Sequence, residues 1–269
     1  MADHDGTSEG AGPWRRFLAQ PNDSRAKTIA MAFAVSAACA VLVSAATVYL
    51  RPIQAANRAA EEQARIESLV RGIPGMSDLL ERSGGTLGTV VIDLERGRAA
   101  PEITTDTLEI ALSDPANWSA LEPGEDLAGL GQRPDYAQVY LLRDGGEVSV
   151  VLLPITGSGY NGRIDAVLAL GGDMRTIAGL SITRQSETPG LGARIEEAAW
   201  LSDFPGTRTR DEAGNLRFAV ARGQASSVYE VDGITGATRT SNAMTRMIRF
   251  WLGPEGYGPF LDAVRRGEF

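Results

Sequence analysis

The chain is poor in the residues that build reactive centres. It has one cysteine, Cys39, and one histidine, His4, among 269 residues. A disulfide within the chain is therefore impossible, and no Cys/His metal cage can be assembled. Ser-His-Asp and Cys-His nucleophiles fall for the same reason, since His4 sits in a polar N-terminal stretch and Cys39 in an apolar run. Lysine is as scarce. Lys27 stands alone, and arginine supplies every other basic side chain. The formal net charge of -8 argues against a nucleic-acid partner, because binding to phosphate backbones rests on Lys/Arg clusters. Carboxylate chemistry stays open, while redox work would need an organic cofactor.

What is present begins with a membrane signal. "TIAMAFAVSAACAVLVSAATVYL", residues 28–50, carries no charge and is bounded by Lys27 and Arg51. About 20 apolar residues in a helix cross a hydrocarbon core, so this run reads as a transmembrane helix. Tyr49 near its end suits the interface. A cleaved signal peptide is the alternative, with "SAA" as its cleavage site, but the apolar run and the polar stretch before it are too long. Arg15, Arg16, Arg25 and Lys27 precede the run and Arg51, Arg58, Arg65 and Arg71 follow it, so flanking charge does not orient it. Residues 1–27 read as a disordered tail. Residues 51–72 read as a helical stalk with Ile66, Leu69 and Val70 on its apolar edge, and residues 73–269 as the soluble domain.

Within that domain "LGTVVIDLERG" predicts a strand, and residues 100–135 an irregular stretch with short helical pieces. "AQVYLLRDGGEVSVVLLPI" is a hairpin signal around Asp144-Gly145-Gly146, and "DAVLALGGDMRTIAGLSIT" repeats it around Gly171-Gly172-Asp173. A helix near 193–201 precedes two further strands, "LRFAVA" and "SVYEV". From Ser241 onward Met244, Met247, Ile248 and Trp251 fall at i, i+3, i+4, i+7, the mark of an amphipathic helix. A last short helix follows "GPEGYGP". The pattern is an α+β fold, an antiparallel sheet with packed helices, preceded by one N-terminal transmembrane helix.

The chemistry concentrates in "DGITGATRTS", residues 232–241, where a strand turns into a helix N-terminus. Unpaired N–H groups and the positive end of the helix dipole favour an anion there. Gly233 and Gly236 allow a tight turn, and Arg239 adds a cation. On these residues alone, a phosphate site and a helix capped by hydroxyls both stand.

The same stretch resembles the Asp-Gly-x-Ser/Thr-Gly-Ala-Thr signature of FMN-binding domains whose threonine forms a phosphodiester with FMN. "ETPGLGARIE", residues 187–196, is similar to a second segment of those domains. "FWLGPEGYGPFLDAVRRG", residues 250–267, resembles the C-terminal tail of the C subunit of the sodium-translocating NADH:quinone oxidoreductase. "VIDLERG", "VYLLRDGG" and the single N-terminal span resemble that family too. The resemblance implies FMN esterified to Thr238 by a separate flavin transferase, with Asp232 in that enzyme's recognition motif. It places Thr188, Leu191 and Gly192 beside the flavin ring, and Thr235, Gly236, Ala237 and Thr240 around the attachment point. Pro189 keeps Thr188 extended, and Gly190 and Gly192 would open N–H groups toward the ring.

It further implies an electron-transfer subunit of a sodium-pumping complex that delivers electrons to ubiquinone. That subunit would be single-pass in the bacterial inner membrane, with a cytoplasmic tail, a periplasmic domain and other membrane and flavin subunits as partners. A related ferredoxin:NAD electron-transport complex and a non-redox anchored binding or assembly protein are the competing readings. This chain departs from the family pattern at Thr235, where Ser is usual, at Thr156, where His or Arg is common, and at Tyr160-Asn161, near a usual Leu-Trp.

Overall fold

The computed structural model describes Arg25, residues 27–44, Tyr49, Ile73 and residues 86–269. The expected tail (Arg25 and Lys27 apart), the expected stalk 51–72 and residues 45–48 and 50 of the apolar run lie outside them. The chain divides into two compact units, Met1–Arg65 and Ile66–Phe269. In the first, helix α1 (Lys27–Ser44) is long and apolar enough to cross a membrane, about 27 Å at 1.5 Å per residue. None of its side chains is buried by protein, with Ile29, Phe33 and Leu42 each more than two-thirds exposed. A core helix would hide them.

The second unit is built on a six-stranded antiparallel sheet. Its strands are β1 (Thr86–Asp93), β2 (Arg98–Ala99), β5 (Tyr136–Asp144), β6 (Glu147–Ser158), β7 (Arg163–Gly171) and β8 (Ile177–Arg184), in the order β2-β1-β5-β6-β7-β8. Both predicted hairpins form. Asp144 pairs with Glu147, and Gly145 and Gly146 between them have φ of 61° and 98°, the left-handed pair a two-residue hairpin turn requires. At the β7–β8 turn Asp173 accepts hydrogen bonds from the backbone N–H groups of Arg175 and Thr176 and from the Thr176 hydroxyl.

The strands read as nearly continuous apolar runs because both sheet faces are covered. Val139, Leu141, Val151, Leu153 and Leu168 face the main core, while Tyr140, Leu142, Leu152 and Val167 face a second cluster that includes Ile73. Period-2 alternation thus separates two apolar faces rather than an apolar face from a wet one. Between β2 and β5 lie α2 (Thr105–Leu112) and a two-stranded ribbon of β3 (Trp118–Ala120) and β4 (Gln132–Pro134), the irregular stretch as expected. After β8 the predicted helix near 193–201 divides into a 3-10 turn, Gly192–Glu196, and a single α turn, α3 (Ala198–Leu201).

Two expectations need correction. "LRFAVA" and "SVYEV" yield only two-residue strands, β9 (Ala219–Val220) and β10 (Glu230–Val231), paired in parallel. Phe218, Val220 and Val231 go into the core, although the ladder between the two strands is only two residues long. The amphipathic helix, α4 (Thr238–Trp251), begins three positions before Ser241. Gly236 at φ 80° turns the chain and Ala237 takes the N-cap position, so Thr238, Arg239 and Thr240 are already its first turn.

Helix α4 seats Met244, Met247, Ile248 and Trp251 in the main core, each no more than 2% exposed. It lies on the half of β6 from which β5 has parted, the last pair between them being Tyr140 with Leu152. A Cβ at Gly157 would meet the Met247 side chain at 3.0 Å, so the glycine permits this close approach. Beyond Leu152 the edge of β6 has no strand partner on that side among the described residues. Trp251 Nε1 donates to the Thr156 carbonyl at 2.7 Å, and the Tyr257 hydroxyl to the Pro154 carbonyl at 2.6 Å. Burial pushes the Tyr257 phenol far above its ordinary value, with Tyr140 adding to the shift, so it stays a donor. Pro154 has no N–H to leave unpaired on this edge. The tail motif is therefore structural in its own right, because α4, the glycine turn after it and α5 (Gly258–Arg265) close an open strand edge.

Trp251→Phe keeps most of the apolar volume but orphans the Thr156 carbonyl. It should lower the stability of the second unit by about 1–3 kcal/mol in urea unfolding of the full chain. On the same strands Asp165 accepts from Thr156, Arg163 and Arg184. Burial opposes its charge, but those hydrogen bonds outweigh burial and hold the carboxyl below its ordinary 3.8. The resulting stabilisation is complete above that unfolded-state value and is lost as the pH falls through the lower folded value. Asp165→Asn should flatten that acid limb of the stability profile, measured by unfolding at stepped pH.

Candidate functional site

Three segments distant in sequence meet at the start of α4. The first is the β6–β7 loop, closed by a hydrogen bond from the Gly159 N–H to the Gly162 carbonyl at 2.7 Å. The second follows β8, residues 185–192, where the Thr188 carbonyl accepts from both Leu191 and Ala193 N–H groups. The third is the turn 232–237. It is pinned by Trp200 Nε1 donating to the Asp232 carbonyl (2.7 Å), by the Ala225 N–H to Asp232 Oδ1 (2.7 Å) and by the Ile234 N–H to Ser241 Oγ (3.3 Å).

Together they form a pocket of about 360 Å³ lined by Tyr160, Glu187, Thr188, Leu191, Gly192 and the run 236–240. That volume lies in the range of small-ligand sites. Of the residues expected at the site, Thr188, Leu191, Gly192, Gly236, Ala237, Thr238 and Thr240 meet here. Asp232 and Thr235 do not line the pocket. Asp232 braces the turn from behind, and Thr235 is exposed beside it.

The hydroxyls do not cap the helix. No side chain makes a capping bond at Ala237. Thr240, 2% exposed, donates instead to Glu187 Oε2 at 2.5 Å, and Ser241 accepts from Ile234. Thr238 is exposed, and its hydroxyl has no partner among the described residues. The first-turn N–H groups of α4 have no acceptor within the helix, as the geometry of a helix start dictates. They and the helix dipole present positive potential at the pocket floor. The Arg239 guanidinium adds to it from above the Tyr160 ring, 5.0 Å from the centroid.

Glu187 was not singled out from the sequence. It is 4% exposed, and its Oε1 accepts the N–H groups of Tyr160 (2.7 Å) and Asn161 (3.0 Å). It explains two glycines. A Cβ on Gly159 would overlap Oε1, and a Cβ on Gly192 would stand 2.6 Å from Oε2 and 2.5 Å from Thr240 Oγ1. Gly192 is thus needed for space rather than for presenting its N–H. Gly190 is needed for its backbone, at φ 74° with nothing within 4 Å of its Cβ position. The available signal was its place at the head of "ETPGLGARIE", but nothing local said that it reaches the loop at 159–162 or Thr240.

These residues fit a phosphate-bearing, partly apolar ligand. Gly236 lets the backbone turn sharply beneath Leu191, the free first-turn N–H groups and Arg239 suit an anion, and Leu191 and Tyr160 are exposed apolar surfaces at the mouth. Among the described residues no cluster suited to a metal ion occurs.

Residues 159–253, which hold this pocket, match the family model described as FMN-binding domain. The chain is 34% identical over 257 residues to the C subunit of the Na(+)-translocating NADH-quinone reductase of Pseudomonas aeruginosa, covering 91% of this chain and 98% of that one. It is 35% identical over 254 residues to the Vibrio alginolyticus protein of the same name, covering 93% and 99%. The crystal structure of Shewanella oneidensis NqrC superposes with a TM-score of 0.62 at 26% identity, over 71% of this chain and 88% of that one.

The two loop glycines predict different losses. Gly192→Ala must push Glu187 and Thr240 apart and should cost about 2–3 kcal/mol, while Gly190→Ala should cost about 1 kcal/mol from its left-handed backbone alone. Paired urea unfolding curves check the order.

Proposed function

This chain belongs to the family of C subunits of the Na(+)-translocating NADH-quinone reductases, and from that premise we propose that it carries FMN as a phosphoester on Thr238 and relays electrons within such a complex toward ubiquinone. The observation that carries the reading is the position of Thr238. It is the one exposed threonine of the pocket's α4 turn, it opens the helix, and its hydroxyl is free among the described residues. The hydroxyl provides the ester oxygen. The first-turn N–H groups and Arg239 hold the phosphate charge. Thr188 and Gly192 line the wall, while Leu191 and Tyr160 shield the mouth from water. FMN, when bound, supplies the reversible electron chemistry, and the protein supplies position and electrostatics.

No carboxylate or imidazole among the described residues contacts the Thr238 hydroxyl, and an unassisted threonine is a poor nucleophile. A separate flavin transferase makes the bond, with Asp232 and the exposed Thr235 on the surface it meets. Helix α1 anchors the chain in the bacterial inner membrane as a single span, with the tail 1–27 cytoplasmic, residues 51–72 as a stalk and the domain 73–269 periplasmic. A covalent bond suits a flavin held where a lost cofactor is not replaced. The other membrane and flavin subunits are its partners. Similarity across more than nine-tenths of the chain to quinone-reductase subunits favours that complex over the ferredoxin:NAD one.

After co-expression with a flavin transferase, the wild-type band on a denaturing gel should fluoresce under ultraviolet light. Thr238→Ala should be dark. Thr240→Ala should stay bright, because that hydroxyl is buried against Glu187. A dark wild-type band sinks the reading.

A further inference from the structure

Glu187 is the only acidic side chain among the described residues of the pocket, and carrying FMN leaves it without a role. Its carboxylate is acceptor-only and takes three donors: two backbone N–H groups of the β6–β7 loop and the hydroxyl of Thr240. No Lys, Arg or His of the described residues lies within ion-pair distance. Arg239, the cation of this pocket, sits over Tyr160 instead. The hydrogen bonds offset the cost of burying the carboxylate but leave its charge uncancelled. Gly159 and Gly192 carry no side chain where the carboxylate sits, so neither segment displaces it from this position. A buried charge without a counter-ion acts on whatever shares its pocket, and does so more strongly than it would across water.

Resting on the FMN reading above, we propose that Glu187 is a positioning residue that ties the β6–β7 loop to the first turn of α4 and, by its fixed negative charge, lowers the reduction potential of the flavin held between them. Reduction adds electrons to the pocket, and a fixed anion there opposes that change. The carboxylate itself is neither oxidised nor esterified.

Glu187→Gln separates charge from geometry. Its amide oxygen still accepts from Tyr160 and Asn161, and its amide nitrogen donates to a Thr240 hydroxyl that rotates to accept. Thr240→Ala does the reverse, keeping the charge and deleting one donor. The full-length chain, loaded by co-expression with a flavin transferase and purified in detergent, is titrated with dithionite against a reference dye while the flavin absorbance is followed. In Glu187→Gln the ratio of reduced to oxidised flavin at a fixed ambient potential should rise about tenfold, about 30 mV for a two-electron couple. In Thr240→Ala the potential should stay at or below that of the wild type. A fluorescent Glu187→Gln chain with an unchanged potential overturns the assignment and leaves FMN attachment standing. So does a rise in Thr240→Ala as large as that in Glu187→Gln. A wild-type chain without covalent flavin overturns the attachment and this assignment together.

Discussion

The seat of α4 on the half of β6 that β5 leaves unpaired is the constraint on which the rest of the second unit depends. A strand that parts from its neighbour leaves carbonyls with no ladder to take them, and buried carbonyls must be paired. Here Trp251 and Tyr257 pair them from outside the sheet. That fixes α4 along its length, because Met247 already sits against Gly157 one turn earlier. Once α4 is fixed at its C-terminal end, its N-terminus is fixed too, and the pocket floor follows. Thr238 at the pocket and Trp251 in the core are the two ends of one helix.

The pocket is held together less by apolar burial than by a single polar knot. Glu187 draws on segments 53 residues apart to reach Thr240, and the loop at Tyr160 closes over its other oxygen. Arginines that elsewhere pair with carboxylates are absent from it among the described residues. On the sheet, by contrast, Asp165 is flanked by Arg163 and Arg184 at 2.7 and 2.6 Å. Thr156 joins that group by donating to the same carboxylate. The same side-chain type is neutralised in one place and left bare in the other, and the bare one faces the ligand pocket.

Much of the architecture was legible because it is written locally. Gly145-Gly146 dictated a hairpin, and the spacing of Met244, Met247, Ile248 and Trp251 dictated a buried helix face. What escaped was non-local. The two-residue strands β9 and β10 carry strand-like apolar residues whose burial comes from the core rather than from pairing. The start of α4 was misplaced because threonines and a glycine look like a loop, whereas Gly236 completes the turn alone and the threonines are already helical. Thr240 resembled a cap until Glu187, far off in sequence, turned out to hold it. Residues of the segments 187–196 and 232–241 line one pocket, but its internal wiring is set by contacts that no short window contains.

Placing Thr238 on the first turn of a helix rather than on a flexible loop has a last consequence. The backbone there is helical, and a β-branched side chain in a helix has little freedom about χ1. A group esterified to its oxygen, as proposed, would sweep a small volume, so its local concentration at the adjoining pocket would be very high without any tight grip. On that proposal the pocket would not need to enclose its cofactor to retain it, and could stay open on one side to an electron-exchange partner.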